Sequence, residues 1–525
     1  MMAWTRTKPA SEKTVEDYLQ WRRSQVVERR GEALPELLAA FALAAVVLTL
    51  SALASGLVER APLSFPIIFL GLGFLIGEWG FGLLTLSPED PTLETIAILT
   101  LALVLFLDAV RMEVEEVRGA GLVPILSLGP GTLIIISVVA LGANLLLETA
   151  LVESLLLGTI LASTDPVVLR DVVRNERIPR SVRRALSIEA GTNDIVVLPI
   201  LLVLIAVANA EAASAAGWAI LLAQILLLGP LVGFAVGAVG AWLMAKADAA
   251  FGISREYQAL YGVGLVLLAY VAAQSLGGDG FLAAFAAGLA VVVMNFDLCD
   301  CFLDYGETTT EMTMLLSFAL FGVVISEIAL EVPIVPVLVL AVVVIFVARP
   351  LAIGLVLRRA AVSNAARAFI GWFGPRGLNS LLLALLVVQN GVANAEFLLA
   401  VTGIVVIVSV VVHGASATPL STLYGQAVER KTLQEEREGT AAGLFEGPAG
   451  ETLRIKPEEL AKEMEGPNLP LILDVRTRSQ YERDKTQIPG SVRVPTNRLE
   501  DWAKRLIAEN PDGEPFVRPV ATYCT

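Results

Sequence analysis

Charge is scarce in this chain. Only 17% of its 525 residues are Asp, Glu, Lys or Arg, against 55% hydrophobic, and the mean hydropathy is +0.71. That balance excludes an ordinary soluble protein, which could not hide so much apolar surface from water. Basic charge is scarcer still: the formal net charge of -14 leaves no positive surface for nucleic acid. Cysteine is almost absent. Cys299, Cys301 and Cys524 cannot build a disulfide framework, which suits a reducing interior. Cys299 and Cys301 flank Asp300 in a segment expected to be a loop, and without a nearby His or further Cys they do not complete a zinc site. The single histidine, His413, sits in an apolar run; it could sense pH, but a packed, hydrogen-bonded ring is expected. The first 34 residues lack the short apolar core and cleavage site of a signal peptide. No phosphate-cradling glycine-rich motif is visible, so ATP hydrolysis is not expected to drive whatever the chain does.

What the chain has in abundance is long apolar runs. Segments of about 17–25 residues read as membrane-crossing helices. They centre on 36–56, 63–79, 93–109, 121–147, 151–170, 184–207, 216–244, 257–275, 278–296, 312–329, 333–357, 365–389 and 396–420, about thirteen spans in all. The expected organisation is a polar segment over 1–35, a transmembrane domain over 36–425, a linker over 426–449 and a soluble domain over 450–525. The fold class that follows is an all-α polytopic membrane protein with a small α/β appendage. Orientation comes from arginine. The segment after the fifth span carries Arg170, Arg174, Arg177, Arg180, Arg183 and Arg184, whereas the turns near 148–150 and 208–215 carry no Lys or Arg. The excess of positive charge on cytoplasmic loops places that segment inside. Alternation then puts Lys246, Arg255, Arg358, Arg359 and the C-terminal region inside too. It sends the N-terminal segment outside, where Arg22, Arg23, Arg29 and Arg30 run against the rule.

Against this greasy background the stretch "LASTDPVVLRDVVRNERIPRSVRRALSIEAGTNDIVVL" places Asp165, Glu189 and Asp194 in adjacent spans. An unpaired charge at mid-bilayer costs at least about 2.5–3.5 kcal/mol, so each must be compensated or used. Arg349, isolated in "VVVIFVARPLAIGLVL", is the natural partner for Glu189 in a buried structural pair. Asn193, four residues from Glu189, shares its helix face. Asp194 lies about 100° further round the helix and is left without a fixed partner. Such a carboxylate can trade a proton for a metal cation. Asp165 precedes Pro166, which removes a backbone donor and disfavours helix at the residue before it. The fifth span should therefore unwind near Thr164 and free carbonyls and a hydroxyl as hard oxygen ligands. A second interruption lies in "GWFGPRGLNSLL", around Gly374, Pro375, Arg376 and Gly377. The two broken spans are an odd number apart and run in opposite directions, the pattern of inverted repeats meeting at a transport site. There Arg376 would offset the carbonyl ends of the crossed helices. Asp108, in "LVLFLDAVRMEVEEVR", is either a mouth residue or a helix-end charge.

"STDPV", "EAGTND", "GFLAAFAAGL", "VARPL" and "GPRG", in this order, resemble the monovalent cation:proton antiporter superfamily in its sodium/proton exchanger branch. The resemblance covers about residues 40–420. It implies a homodimer, a core of spans four to six and eleven to thirteen with two crossed broken helices, and elevator-like motion. It implies that Asp194 carries the ion and the proton, that Asp165 and Thr164 are its partners in the Na+ site with Asn193 beside it, and that Glu189 and Arg349 form the structural pair. The Asn193-Asp194 sequence resembles the electroneutral one-for-one exchangers. One departure stands out: the family often has Ser after the glutamate, where this chain has Ala190, so a ligand oxygen is missing or comes from Thr192 or water.

Residues 450–525 resemble a rhodanese-like domain. "LPLILDVR" is an apolar strand ending at Asp474 and Arg476, "QIPGSVRVP" a turn with Gln487 where the family usually has His, and "ATYCT" a strand delivering Cys524. With the cysteine next to last, the anion cradle and closing helices are absent. The expectation is an incomplete domain without sulfur transfer, in which Cys524 is a spare thiol. The expected function is exchange of a monovalent cation, Na+ before Li+ or K+, for H+ across a cell inner membrane, with no cofactor and no nucleic-acid partner. The rivals are a K+/H+ antiporter or K+ efflux system and, from another class, a membrane-anchored sulfurtransferase.

Overall fold

The structure is a computed structural model. It describes residues 65–112, 122–175, 178–212, 214–294, 296–329, 332–360 and 362–431 of the apolar region, with Ala45, Val46, Thr49 and Leu53 before them. Of the C-terminal region it describes residues 457–464, 466, 470–474, 486–494 and 520–523. The chain divides into two compact units, Met1–Leu444 and Phe445–Thr525.

The first unit is helical. In chain order its helices are α1 (Phe65–Ile76), α2 (Pro91–Val110), α3 (Val123–Leu147), α4 (Leu151–Ile160), α5 (Pro166–Arg174), α6 (Arg180–Ala208) and α7 (Ala215–Phe251). There follow α8 (Arg255–Ser275), α9 (Gly280–Met294), α10 (Phe296–Ile328), α11 (Ile334–Val356), α12 (Asn364–Trp372), α13 (Leu378–Gln389) and α14 (Ala395–Lys431). Among the described residues eight helices are long and apolar enough to cross a membrane, and four apolar helices are shorter. The predicted span 36–56 lies almost wholly outside the described residues. Cys299 and Cys301 are placed differently from the expected loop: they fall inside α10, whose 33 residues begin at Phe296. Hydropathy registers only the apolar part of a helix and misses its polar continuation.

Proline shapes three of the long helices. Pro130, Pro230 and Pro350 each lie in or just after a single wide π-type turn, over Ser127–Gly131, Gln224–Leu228 and Val343–Ala348. A proline ring crowds the carbonyl one turn back and offers no N–H; widening that turn relieves the crowding without ending the helix. Small residues set the closest packing. Gly233 and Gly237 of α7 lie so near α9 that a Cβ on either would meet the backbone of Ala283 or Ala287. Without a hydrophobic drive between helices in lipid, such close backbone approach is a main source of association. Apolar side chains on the outer face of α7, including Leu227, Leu231 and Trp242, remain exposed, as a lipid-facing surface requires. The main core runs through α1 to α4, α6 to α11, α13 and α14. A smaller one joins α5, α6 and α12 through Leu169, Val172, Leu186, Phe369 and Phe373.

The second unit has a helix, α15 (Pro457–Glu463), and a parallel three-stranded sheet. Strand β1 (Leu471–Asp474) lies between β2 (Val492–Arg493) and β3 (Val520–Tyr523), with Leu473 opposite Val492 and Thr522. The apolar run Leu471–Leu473 suits a central strand covered on both faces. Asp474 is fully buried, and its carbonyl accepts from the Val494 N–H at 3.0 Å. Arg476 and Cys524 lie outside the described residues.

Candidate functional site

Two interrupted helices cross in the middle of the membrane unit. The first stops after Ile160 and restarts at Pro166; the second stops at Trp372 and restarts at Leu378. The breaks are local in origin, since Pro166 cannot continue a helix from Asp165 and Gly374-Pro375 removes both stiffness and a donor. A direct backbone bond ties the crossing together, from Asp165 N–H to the Pro375 carbonyl at 2.9 Å.

Four helix ends meet here, and each leaves unsatisfied backbone groups. Asp165 serves both N-termini. Its Oδ1 accepts from the Val167 N–H at 2.8 Å on α5, and its Oδ2 accepts from the Leu378 N–H at 2.9 Å on α13. At the C-terminal end of α4, Arg376 Nη1 donates to the carbonyls of Ala162 and Ser163 at 2.9 and 2.8 Å. The Ser380 hydroxyl donates to the Ile160 carbonyl at 3.0 Å. Arg376 itself is anchored by its N–H donating to Ser409 Oγ at 2.8 Å. At the C-terminal end of α12, Arg349 Nε donates to the Ile370 carbonyl at 3.2 Å, and the His413 Nε2 lies 3.1 Å from the Trp372 carbonyl. Carboxylate thus faces the positive helix ends and guanidinium the negative ones.

Glu189 and Arg349 form a buried ion pair, Arg349 Nη1 to Glu189 Oε1 at 2.5 Å. Asp194 is 3% exposed; its Oδ1 accepts from the Ser163 hydroxyl at 2.7 Å and its Oδ2 from the Asn379 amide at 2.6 Å. Ser163 and Asn379 are its direct partners, and the sequence singled out neither. Thr164 and Asn193 are both 1% exposed, and Thr164 Oγ1, Asn193 Oδ1 and Asn379 Oδ1 have no hydrogen-bond partner. Asp165, expected as a ligand beside Asp194, spends one oxygen on each N-terminus. Asp108, two residues from the end of α2, is 4% exposed, and its Oδ2 is unpartnered. His413 is packed, with Nδ1 at 2.9 Å from the Ser409 carbonyl.

A cavity of about 240 Å³ opens beside the crossing on the side of the arginine-rich segment, with Asp108, Arg111, Arg170, Gly191, Thr192 and Glu307 in its wall. It reaches α6 within three residues of Asp194. At its rim Arg111 pairs with Glu307 at 2.8 Å and Arg170 with Glu311 at 3.1 Å.

Gly377 is where the crossing tolerates least. A Cβ there would collide with the Asp165 carboxylate. Gly377→Ala is therefore expected to push Asp165 off the α13 N-terminus at a cost of about 1–3 kcal/mol or more. A lowered thermal midpoint of the detergent-solubilised protein would show it; an unchanged midpoint would mean that the crossing has room for the methyl group.

Known proteins match both units. Residues 45–423 match the family described as sodium/hydrogen exchanger, transmembrane, and residues 456–525 match the rhodanese-like domain. The K(+)/H(+) antiporter NhaP2 of Shewanella sp. (strain ANA-3) is 30% identical over 405 residues, 76% of this chain and 69% of that protein. The K(+)/H(+) antiporter NhaP of Alkalimonas amylolytica is 29% identical over 382 residues, 72% and 65% of the two chains. The solved structure of the sodium proton antiporter MjNhaP1 from Methanocaldococcus jannaschii matches with a TM-score of 0.62 over 75% of this chain and 99% of that one. At 22% identity that likeness shows the fold alone. With most of its length inside the first match and its last 70 residues inside the second, the chain belongs to the sodium/hydrogen exchanger family and carries a rhodanese-like domain behind its membrane bundle.

Proposed function

We propose that this multi-pass membrane protein exchanges a monovalent cation for H+, the two competing for Asp194 at the crossed helices. One observation carries the proposal. Asp194 is a buried carboxylate held only by a hydroxyl and an amide, while the neighbouring residues Thr164, Asn193 and Asn379 keep buried oxygens without donors. The other charges at the crossing each have a structural partner: Asp165 caps two N-termini, Arg376 meets carbonyls through Nη1 while its Nε and Nη2 stay unpartnered, and Glu189 and Arg349 neutralise each other. Buried oxygens that no protein donor satisfies cost free energy unless a positive group visits them. A dehydrated alkali cation, bound by hard oxygens, is what such a set accepts.

Competition at one carboxylate couples the two fluxes without any further machinery. The core would carry the site between the two sides by elevator-type motion, in a homodimer of the cell inner membrane with the rhodanese-like domain in the cytoplasm. The cation has two readings. Sodium is what the motifs suggested. Potassium is favoured by the names of the relatives at 29–30% identity, which are K(+)/H(+) antiporters. Potassium is thus the first ion to test.

The test is a pH-gradient assay in proteoliposomes, adding K+, Na+ and Li+ in turn. At least one should collapse the gradient. Where Asp194 is mostly protonated, the half-saturating cation concentration should rise about tenfold per unit fall in pH, as reciprocal linkage demands. A half-saturation indifferent to pH would remove shared occupancy of one site. The sulfurtransferase rival predicts thiosulfate:cyanide transfer and no cation-dependent flux.

A further inference from the structure

Asn379 is not explained by the crossing. Its polar neighbours at the start of α13 each serve the crossing: Arg376 Nη1 and the Ser380 hydroxyl satisfy carbonyls of the opposite broken helix, with Arg376 Nε and Nη2 left unpartnered, and Leu378 N–H meets Asp165. Asn379 is 1% exposed and satisfies no backbone group. Its Nδ2 donates to Asp194 Oδ2 at 2.6 Å, and its Oδ1 has no partner. The amide is rigid and planar, so fixing its nitrogen on the carboxylate fixes its oxygen a few ångströms from the same group. That oxygen is a hard, uncharged acceptor beside an anion, with nothing to accept.

On α6 the site has no side-chain oxygen one turn before Asp194. Ala190 lies one helical turn before Asp194 on α6, on the same face, and is 3% exposed. Its methyl group offers nothing to a cation. We infer that Asn379 Oδ1 is a ligand of the transported cation, supplied from the second broken helix, and that it sets how strongly the site prefers larger alkali ions. The preference follows from ligand number: a larger ion needs more oxygens around it, so losing one harms its binding most, and selectivity between hard cations is decided by cavity size and ligand count. This inference rests on the exchange reading of Asp194.

The experiment uses the full-length protein, purified and reconstituted, with Asn379→Leu alone and in combination with Ala190→Ser. Cation binding is measured by the thermal shift that each of K+, Na+ and Li+ produces, and transport by the pH-gradient assay. Removing a hydrogen-bonding group that faces a charge should raise the half-saturating K+ concentration by about tenfold or more, and that for Li+ by less. A hydroxyl added at 190 should recover at least part of the K+ loss. If Asn379 merely positioned Asp194, all three ions would lose equally, the maximal rate would fall with them, and the hydroxyl at 190 would restore nothing; that pattern overturns the inference. Unchanged half-saturation for K+ overturns it as well. Should an Asp194→Asn protein still exchange ions, the exchange reading itself has failed; if that protein is dead while Asn379→Leu binds normally, only the present inference has.

Discussion

Asp194→Asn is expected to abolish exchange with K+, Na+ and Li+ alike while leaving the protein inserted and folded. The substitution is nearly isosteric. An asparagine oxygen can still accept from the Ser163 hydroxyl, which the native carboxylate does at 2.7 Å. What is lost is the charge behind the two contacts, since the Asn379 amide can turn over so that its otherwise unpartnered Oδ1 accepts from the new N–H₂, and the ability to take up or release a proton. The first loss turns hydrogen bonds to a charged group into neutral ones, at about 1 kcal/mol each. It is offset by no longer burying an ionised carboxylate, so the thermal midpoint should move little. The second loss is total. A site that cannot alternate between proton and cation has nothing to exchange, so the pH-gradient signal should fall to the level of empty liposomes for every ion. Retained exchange above that level would show that the coupling carboxylate lies elsewhere. Asp108 would then be the next candidate, since it is buried, carries an unpartnered oxygen and lines the cavity beside the crossing.

The general fold was legible in the sequence because lipid leaves the chain few choices. A run long enough to cross hydrocarbon must be a helix, and twelve of the expected spans have a helical counterpart among the described residues. The two interruptions were legible for a different reason. Proline and glycine act on their own backbone, so Pro166 and Gly374-Pro375 announce a break whatever surrounds them. Where apolarity fades, legibility fades too. The start of α10 at Phe296 sits in the mixed sequence "FDLCDCFLDYGETTT", which has no lipid-facing pattern and reads as a loop.

Within the site, the helical carboxylates were easier to place than the residues that touch them. Glu189 and Asp194 stand on a continuous helix, where periodicity assigns each residue a direction. Ser163 and Asn379 do not enjoy that help. In the unwound stretch before Pro166 there is no helical phase, so sequence cannot say whether Ser163 or Thr164 turns toward Asp194. The structure gives the hydrogen bond to Ser163 and leaves the Thr164 hydroxyl unpartnered. Asn379 comes from a helix 185 positions away in sequence, and only the crossing brings it to Asp194. The same holds for His413. Its ring lies at hydrogen-bond distance from the end carbonyl of α12, a contact no local pattern encodes. A signal was nevertheless present: Asn379, in the largely apolar run "LNSLLLALLVV", is a polar group that hydrocarbon penalises unless it finds a partner.

Breaking the Glu189–Arg349 pair from one side should be the most damaging single change to the stability of the bundle. The side chains are 4% and 3% exposed, respectively, and the nitrogen-to-oxygen distance is 2.5 Å, so neither charge has water to fall back on. Arg349→Met strands the carboxylate and also frees the Ile370 carbonyl at the end of α12, to which Arg349 Nε donates at 3.2 Å. Glu189→Met strands the guanidinium, whose positive neighbour Arg376 worsens its position. Each single replacement should cost about 3–5 kcal/mol, the usual penalty for leaving one partner of a buried pair uncompensated. The double replacement Glu189→Met/Arg349→Met removes both charges and should be much less harmful than the two costs added. Its remaining deficit is the uncapped carbonyl, about 1–3 kcal/mol. Thermal midpoints of the four proteins in one detergent form a double-mutant cycle, and the coupling between the sites is the quantity to read. Strong coupling is the expected result. If the single and double losses simply add, the two residues do not neutralise each other, and the division of labour at the crossing, with one carboxylate reserved for the ion and the rest committed to structure, would have to be redrawn.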